Sequence, residues 1–441
     1  MYNLTLQLFL SGQWRDAMRL TFDNPEKGQA SPCSFAYEQA YLIGQLSNLE
    51  CRTAQSVSAT IPLGWDLHRT TQCPAFLLDI LPSGAARRFL LQRMTVAEGE
   101  TTQADLLLLG RCTPAPIGHL RIKESVQALV SGPSIGFRRD EVVNRDTRFL
   151  EYAYEQGAAI GGATGAGGEA PKLLLAEDRQ GLLHPDATLA DDQVQQHWFV
   201  KFARNKASQT DCTILRSEYC YYQALNQLGI HTITGDGMSL EEAHKPSLWM
   251  QRFDRRVGAN GVTRLAVESI YSLAGVTRPG SYMSHVDAVA ALSKAWTGAG
   301  QQAEIESIVN DYLRRDLINQ LLGNSDNHGR NTAILRDEQR LRLAPIYDLA
   351  PMVMDEEGIT RTTKWPNEIE RAGDVDWYAA CQSLALWADP GQLFETLRTA
   401  AQQLRALPDL LQTLGLPEQT MNHPRIALNR LDAKLTAWNL L

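Results

Sequence analysis

A lysine inside an otherwise apolar segment limits how the middle of this chain can fold. The segment HWFVKF ends at Phe202, and its aromatic and aliphatic residues predict a buried strand around Lys201. The helix predicted over 213–228 places Glu218 on the same face as Ile214 and Leu225. A buried ammonium group and a carboxylate on an apolar helix face each need a partner. We therefore predict that Lys201 pairs with Glu218; the alternative is a lysine whose amine reaches solvent.

A polar loop between an apolar helix end and an apolar strand carries a second set of candidate residues. Residues 321–335 read LLGNSDNHGRNTAIL, with Asp326 and Asn331 separated by four residues. Protein kinases use an Asp and an Asn at this separation in their catalytic loop. The next two strands are predicted around a charged turn at 336–340, and the second, LRLAPIYD, ends at Asp348. This aspartate is placed to bind a metal ion, unless the region is an ordinary Asn/Asp/Gly loop.

A glycine-rich segment precedes these elements. Residues 157–168 read GAAIGGATGAGG, and Lys172 begins an apolar strand soon after them. Glycines let backbone N–H groups approach phosphate oxygens closely, and a nearby lysine adds positive charge. The segment is therefore a candidate phosphate-binding loop, although a flexible linker would have a similar composition.

The order of the predicted elements favours an α+β fold. Residues 3–10 have leucine at every second position, and residues 14–22 follow a Ser-Gly turn, so we expect a hairpin at the start. Long amphipathic helices follow from about Ser284. At about 150 residues per domain, 441 residues correspond to two or three domains. We place them at 1–150, 151–256 and 257–441.

The motifs together resemble the HipA-type serine/threonine kinases, the toxins of bacterial type II toxin–antitoxin systems. The matching segments are GGEAPK (167–172), FVKF (199–202), SEYCYYQALNQLGI (217–230), QRFDRR (251–256), NSDNHGRN (324–331) and APIYDLAP (344–351). A looser match includes LLDILPSGAARRFL (77–90). The resemblance implies a protein-kinase-like two-lobed fold, with a mixed N-terminal subdomain, an N-lobe with the glycine-rich loop and a mostly helical C-lobe.

The resemblance also implies the cofactors ATP and Mg²⁺ and a role for each motif residue. Asp326 would accept the proton of the substrate hydroxyl, and Asn331 and Asp348 would hold magnesium. The residues expected around the nucleotide are Gly167, Gly168, Lys172, Lys201, Glu218, Gln251, Arg252, Phe253, His328, Arg330, Asn331, Tyr347 and Asp348. Gln251 to Phe253 would form the hinge that meets adenine, and His328 and Arg330 would lie beside the phosphates.

Two positions depart from the family pattern. Gln251 replaces an acidic hinge residue, which makes the hinge contacts less certain. Gly165 stands where family members often carry a serine whose autophosphorylation switches the kinase off, and Thr164 is the nearest hydroxyl. We therefore expect control of this protein to rest on its antitoxin.

The expected partners also follow from the resemblance. They are a small helix-turn-helix antitoxin of the HipB type, which binds operator DNA, and a protein of the translation machinery as substrate, such as an aminoacyl-tRNA synthetase. The net charge of −8 excludes a broadly basic nucleic-acid binder, so we expect DNA to be reached mainly through the antitoxin. The segment from Arg361 to Trp365 is the candidate for a local DNA-binding patch, and a solvated turn is the alternative.

The location of the protein is predicted from what its sequence lacks. It has no run of 18 apolar residues and no signal-peptide pattern, so we expect a cytoplasmic protein without a membrane partner. Its seven cysteines include no Cys-x-x-Cys pair, which favours reduced thiols.

The sequence is also compatible with two other classes of function. Asp326, His328 and Asn331 could instead activate a metal-bound water against a phosphodiester, as in a DNase-like toxin. A nuclease, however, has no need of the Lys201–Glu218 pair. A catalytically inactive regulatory or interaction protein is the third possibility, and the presence of Asp326, Asn331 and Asp348 argues against it.

Overall fold

The computed structural model describes most of the 441-residue chain. The residues outside the description are 95–103, 130–133, 146, 157–171, 205–206, 234, 236, 244, 260 and 372. The glycine-rich segment, with Gly167, Gly168, Thr164 and Gly165, therefore lies outside the described residues. The nucleotide loop expected there stays a prediction.

The first sheet is built on the hairpin expected at the start of the chain. Leu4, Leu6 and Leu8 are buried on one face, which confirms the period-2 interpretation. Ser11 and Gly12 form the turn with φ of 51° and 78°, the left-handed backbone that suits the twist of a two-residue hairpin. All pairings in the sheet are antiparallel, and the strand order is β4-β3-β2-β1-β5. The strands are β1 (Tyr2–Leu10), β2 (Gln13–Phe22), β3 (Cys33–Tyr37), β4 (His68–Thr70) and β5 (Leu120–Ile122).

Helices surround this sheet and lead to the next one. Phe149 and Ala153, from the last helix before the glycine-rich segment, pack with Trp198 and Trp249 of the second sheet. The core of the second sheet therefore includes residues that precede the glycine-rich segment. The helices are α1 (Gln39–Ile43), α2 (Gly84–Arg93), α3 (Asp105–Arg111), α4 (Lys123–Gln127), α5 (Arg139–Val143) and α6 (Thr147–Glu155).

The second sheet contains the predicted lysine strand at its centre. It is antiparallel, with the order β7-β6-β8-β10-β9, and Lys172 lies directly opposite Lys201. The helix after it begins at Gln209, earlier than the predicted Thr213, because Ser208 and Asp211 form a capping box. The elements are β6 (Lys172–Asp178), β7 (Leu183–Pro185), β8 (Val194–Phe202), α7 (Gln209–Gln227), β9 (Ser239–Glu241) and β10 (Ser247–Gln251).

The rest of the chain forms a mostly helical lobe with small sheets. Its largest described sheet has the order β13-β15-β16; β13 precedes the polar loop in the chain, and β15 and β16 follow it. The predicted strand LRLAPIYD is shorter than expected, because it ends at Leu343. The strands are β11 (Arg255–Gly258), β12 (Gly261–Arg264), β13 (Ala266–Ser269), β14 (Met283–Ser284), β15 (Ala333–Arg336), β16 (Leu341–Leu343), β17 (Thr363–Lys364), β18 (Glu370–Arg371) and β19 (Asp374–Val375). The helices are α8 (Ile270–Leu273), α9 (His285–Gly298), α10 (Ile305–Leu321), α11 (Trp377–Gln382), α12 (Pro390–Leu404), α13 (Leu407–Thr413), α14 (Glu418–Met421) and α15 (Leu431–Ala437).

Buried polar contacts fasten the N-terminal part to the helical lobe. The guanidinium of Arg336 on β15 donates to the backbone carbonyls of Thr53, Ser56 and Val57. Arg336 is 1% exposed, so these bonds are made away from water. The three parts of the chain therefore meet around the polar loop. In the part of the chain that the structure covers, no helix is long and apolar enough to cross a membrane.

Candidate active site

The lysine–carboxylate pair expected from the sequence is present. Lys201 Nζ on β8 donates to Glu218 Oε2 on α7 at 2.6 Å, and both side chains are buried. Tyr222, one turn later on the helix, donates to Glu218 Oε1 at 3.0 Å. Both carboxylate oxygens are thus bonded, so Glu218 holds the ammonium group of Lys201 in a fixed position.

A second carboxylate joins this pair from the far side of the polar loop. Asp348 Oδ1 accepts from Lys201 at 2.7 Å, and Asp348 Oδ2 lies 3.4 Å from Lys172 Nζ. Burial raises the pKa of Asp348, but the two lysines lower it further, so the net shift is well downward. The pKa of Lys201 is raised in turn, because Asp348 and Glu218 outweigh its burial. Asp348 and Lys201 are therefore charged at neutral pH.

Asp348 is held in a backbone conformation that few non-glycine residues adopt. Its φ is 55°, in the left-handed region. Two contacts fix this turn: Asn324 Nδ2 donates to the carbonyl of Asp348 at 3.2 Å, and the N–H of Leu349 donates to Tyr222 Oη at 3.1 Å. In this backbone conformation the carboxylate of Asp348 faces the two lysines.

Hydrogen bonds within the polar loop shape it around Asp326. The N–H of Asp326 donates to Asn324 Oδ1, and Asn331 Nδ2 donates to the carbonyl of Asp326 at 2.6 Å. The loop also needs glycine at 323, where φ is 69° and a Cβ would meet Ile426 and Val353 at 2.8 Å. The carboxylate of Asp326 is left without such a bond among the described residues.

The surroundings of Asp326 give it the properties of a base that works near neutral pH. Burial raises its pKa to about 7, with a further contribution from Asp348. Arg204, Lys172 and Lys201 act in the opposite direction. A carboxyl group with this pKa is part ionised at pH 7, which suits proton transfer.

His328 lies beside this carboxylate as a neutral ring. Burial lowers its pKa to about 4. Its Nδ1 accepts from the N–H of Arg330, which leaves the proton on Nε2. That nitrogen is 3.7 Å from Asp326 Oδ1 and has no hydrogen-bond partner among the described residues. His328 can therefore donate a hydrogen bond to an oxygen placed next to Asp326.

Two oxygen donors at the site fit a magnesium ion. Asn331 Oδ1 is buried without a partner in the described structure, although its Nδ2 is fixed. Asp348 is the second expected ligand, and its oxygens now face Lys201 at 2.7 Å and Lys172 at 3.4 Å. Within the described residues, no group of three or more His, Cys, Asp or Glu side chains could hold a metal ion. This set suits Mg²⁺, which is often bound by one or two protein ligands together with phosphate oxygens.

A cavity with one apolar end and one charged end lies between the lobes. Ile117, Phe199, Ile233 and Met250 line the apolar part. The charged end consists of Lys172, Lys201, Glu218 and Asp348. Gln251, Phe253 and Tyr347 also border the cavity, and the rings of Phe253 and Tyr347 stack at 5.5 Å. Most of the residues expected around a nucleotide are thus brought together.

Arg252 borders the cavity, but its guanidinium is engaged elsewhere. It donates to Asp186 and Asp254, each at 2.6 Å, in a buried cluster behind the hinge. Its N–H donates to the carbonyl of His197. Arg252 therefore stays a predicted member of the hinge, while its charge is neutralised by Asp254 of the same motif and by Asp186, which the sequence pattern does not reveal.

Arg330, which we expect beside the phosphates, lines a smaller cavity with Asp79 and Ser269. This cavity shares Ile117, Phe253 and Tyr347 with the larger one, and Tyr347 donates to the carbonyl of Arg330 at 2.5 Å. Burial lowers the pKa of Arg330, while the Asp79 carboxylate raises it. Asp79 itself accepts from the N–H and the hydroxyl of Ser269. A residue of the N-terminal part thus faces the polar loop, a contact that sequence reasoning missed.

Other site residues were also missed. Arg204 on the loop after β8 binds Asp355 at 2.9 Å and acts electrostatically on Asp326. Asn324 and Tyr222 hold the turn at Asp348. Asn324 lies inside the loop motif NSDNHGRN, and Arg204 lies just after the strand that contains Lys201. Their positions beside these motifs could have indicated that they belong to the site. Ile117 lines the cavity, but nothing in the sequence around it indicates this.

The proposed DNA-binding patch is largely buried. Arg361 makes ion pairs with Asp316 and Glu370, and its side chain is 9% exposed. Trp365 is 1% exposed and donates to Asp316. Of Arg361, Lys364 and Trp365, only Lys364 has no side-chain hydrogen bond or ion pair among the described residues. The basic-aromatic pattern here serves packing within the lobe.

The comparison with known families agrees with this geometry. Residues 164–407, more than half of the chain, match the family described as the HipA-like C-terminal domain. The chain belongs to this family. No curated protein matches the HipA-like chain.

Solved structures show how far the similarity extends. A chain in the Shewanella oneidensis MR-1 complex of HipA, HipB and operator DNA resembles the HipA-like chain with a TM-score of 0.63 and 19% identity. The match covers 99% of this chain and 96% of that one, and it confirms the kinase-like two-lobed fold. The Helicobacter pylori proinflammatory kinase CtkA matches with a TM-score of 0.35 and 14% identity, over 62% of this chain and 89% of that one.

Proposed function

We propose that this protein is an ATP- and Mg²⁺-dependent serine/threonine protein kinase. The observation that carries the proposal is the position of Lys201, fixed between Glu218 and Asp348 at 2.6 and 2.7 Å, at the charged end of the cavity. An ammonium group held there can bind phosphate oxygens without being reoriented. The apolar side chains of Phe199, Ile233 and Met250, which line the same cavity, offer a surface against which the base could pack.

The charges of the site support the proposal that a divalent cation takes part. Lys172 and Lys201 face the three carboxyl groups of Glu218, Asp326 and Asp348. These side chains cannot neutralise a polyphosphate on their own. Mg²⁺ bound by Asp348 and Asn331 would supply the missing positive charge at the phosphates.

Side chains of the protein would bind the phosphates and accept the proton of the substrate hydroxyl. Lys172 and Lys201 orient the phosphates, and Asp326 accepts the proton of the attacking hydroxyl. The pKa of about 7 places this carboxyl group in the right range for that task. His328 donates a hydrogen bond from Nε2 to an oxygen beside Asp326. Phosphoryl transfer of this kind depends mainly on positioning and charge.

We further propose that the kinase is a growth-inhibiting toxin. Membership of the HipA-like family supports this, as does the similarity to HipA in a complex with HipB and operator DNA. The partner would be a HipB-like helix-turn-helix antitoxin, and DNA would be reached mainly through it. The substrate would be a translation protein such as an aminoacyl-tRNA synthetase.

Radiolabelled ATP and a cell lysate test the activity directly. With Mg²⁺ the wild-type protein should label at least one lysate protein, and the Asp326→Asn variant should label none. Asp409→Asn, which changes an exposed aspartate on α13, is the matched control and should behave like the wild type. Nucleic-acid cleavage without ATP, lost in Asp326→Asn, would instead support the nuclease.

A further inference from the structure

A groove in the helical lobe begins beside the loop that carries Asp326. One wall is the loop itself, at Gly323 to Ser325, and the other comes from the segment after Asp348. Residues 424–438 at the end of the chain close the groove, whose volume is about 490 Å³. It shares no lining residue with the cavity proposed for the nucleotide.

The groove is basic, although the chain as a whole is acidic. Five of its side chains are basic and two are acidic, whereas the protein has a net charge of −8. The basic residues are Arg361, Lys364, Arg425, Arg430 and Lys434, and the acidic ones are Glu370 and Asp374. A cleft with charge opposite to that of the whole protein attracts ligands of a defined sign.

Part of this positive charge is not used within the fold. Arg361 and Lys434 are paired with carboxylates. Lys364, Arg425 and Arg430 have no carboxylate within salt-bridge distance in the part of the chain that the structure describes. Arg425 and Arg430 donate to the backbone carbonyls of Val353 and Pro424, which do not neutralise their charge, so all three cations can attract an anionic partner.

A buried hydroxyl at the inner end of the groove points to the same conclusion. Ser325 is 6% exposed and lines the groove, yet its Oγ has no hydrogen-bond partner among the described residues. A buried polar group without a partner is unfavourable, so such groups usually bind something else. Ser325 directly precedes Asp326, so a ligand bonded to it would lie next to the proposed base.

We propose that this groove binds the acceptor segment of the protein substrate, an extended peptide with acidic residues close to its serine or threonine. The proposal rests on the proposed kinase function. Lys364 and Arg425 would bind the acidic side chains, and Ser325 would bond the peptide beside the acceptor hydroxyl. The position of Ser325 directly before Asp326 favours a peptide over a nucleic acid, because the proposed reaction requires an acceptor hydroxyl beside that base.

Peptide binding to the full-length protein tests the groove without requiring turnover. Fluorescein-labelled peptides with a central serine and acidic, neutral or basic flanks would be titrated by anisotropy, beside labelled duplex DNA and RNA. We expect the acidic peptide to bind about tenfold more tightly than the neutral one. Lys364→Glu with Arg425→Glu should remove this preference. Lys294→Glu, an exposed lysine on α9, is the control and should retain it.

Equal affinity for all three peptides, or an unchanged preference in the double variant, would overturn the proposal. DNA or RNA that bound more tightly than the acidic peptide and was lost in the double variant would overturn it too, in favour of a nucleic-acid site.

Turnover separates this proposal from the kinase function. The double variant should hydrolyse ATP at the wild-type rate in the absence of peptide, and its kcat/KM for the acidic peptide should fall about tenfold. ATP turnover with no effect of peptide charge refutes the groove alone. Binding of the acidic peptide without phosphoryl transfer to any peptide or lysate protein contradicts the kinase function, and with it the acceptor role of the groove.

Discussion

Replacement of Lys201 by methionine should destabilise the fold as well as weaken nucleotide binding. The ammonium group is buried between Glu218 at 2.6 Å and Asp348 at 2.7 Å, so its removal leaves two carboxylates close together. Loss of one partner of a buried ion pair typically costs about 3–5 kcal/mol. Lys172 stays near Asp348 and Tyr222 stays bonded to Glu218, so we expect about 3 kcal/mol, towards the lower end.

Urea unfolding of the wild type and the variant measures this loss. Lys294→Met, at an exposed site, is the control and should change the unfolding free energy by less than about 0.5 kcal/mol. The loss in Lys201→Met should be smaller at pH 5 than at pH 7. The reason is that the pKa of Asp348, now held low by the two lysines, should rise in the variant and let the carboxylate bind a proton as the pH falls.

A double-mutant cycle shows whether the reasoning holds. If Glu218→Gln is combined with Lys201→Met, the total loss should be about 1–3 kcal/mol smaller than the sum of the two single losses. The affinity for ATP should show the same pattern, with a fall of about tenfold or more in Lys201→Met. Additive losses, or a destabilisation below about 1 kcal/mol in Lys201→Met, would show that the buried pair does not act as described.

The remaining predictions concern the loop and its supports. The rate of phosphoryl transfer should rise with pH around a midpoint near 7, the pKa of Asp326, and a rate independent of pH between 6 and 8 would contradict its role as base. Because this pKa is raised on folding, ionisation destabilises the fold as the pH rises from 4 to 7, so Asp326→Asn should gain stability relative to the wild type over that range, measured by thermal unfolding. Asp79→Asn should cost about 1–3 kcal/mol and lower kcat more than the affinity for ATP, and Asp409→Asn should do neither. Mass spectrometry after incubation with ATP and Mg²⁺ should find Thr164 unmodified, and stoichiometric phosphate there that disappears in Asp326→Asn would show self-inactivation.

Local periodicity determined the elements that carry the site. The leucines at every second position predicted the first hairpin, and the apolar run around Lys201 predicted β8. The helical face that contains Glu218 required a buried cation, and Lys201 lies within the apolar strand that precedes this helix. These predictions succeed because a strand or a helix repeats its burial pattern within a few residues. The ends of elements were less certain, as the cap at Ser208 shows.

Only the tertiary structure decided which charged side chains belong to the site. Arg252 and Arg330 match the family motifs, but one is bound by Asp186 and Asp254 and the other faces Asp79. Asp254 lies in the same motif as Arg252, but Asp186 and Asp79 come from segments far away in the chain, and no local pattern encodes such a contact. The same holds for Asp348, whose left-handed backbone brings it to two lysines on neighbouring strands. Sequence supplies the charges, and packing determines which of them neutralise one another and which remain for a ligand.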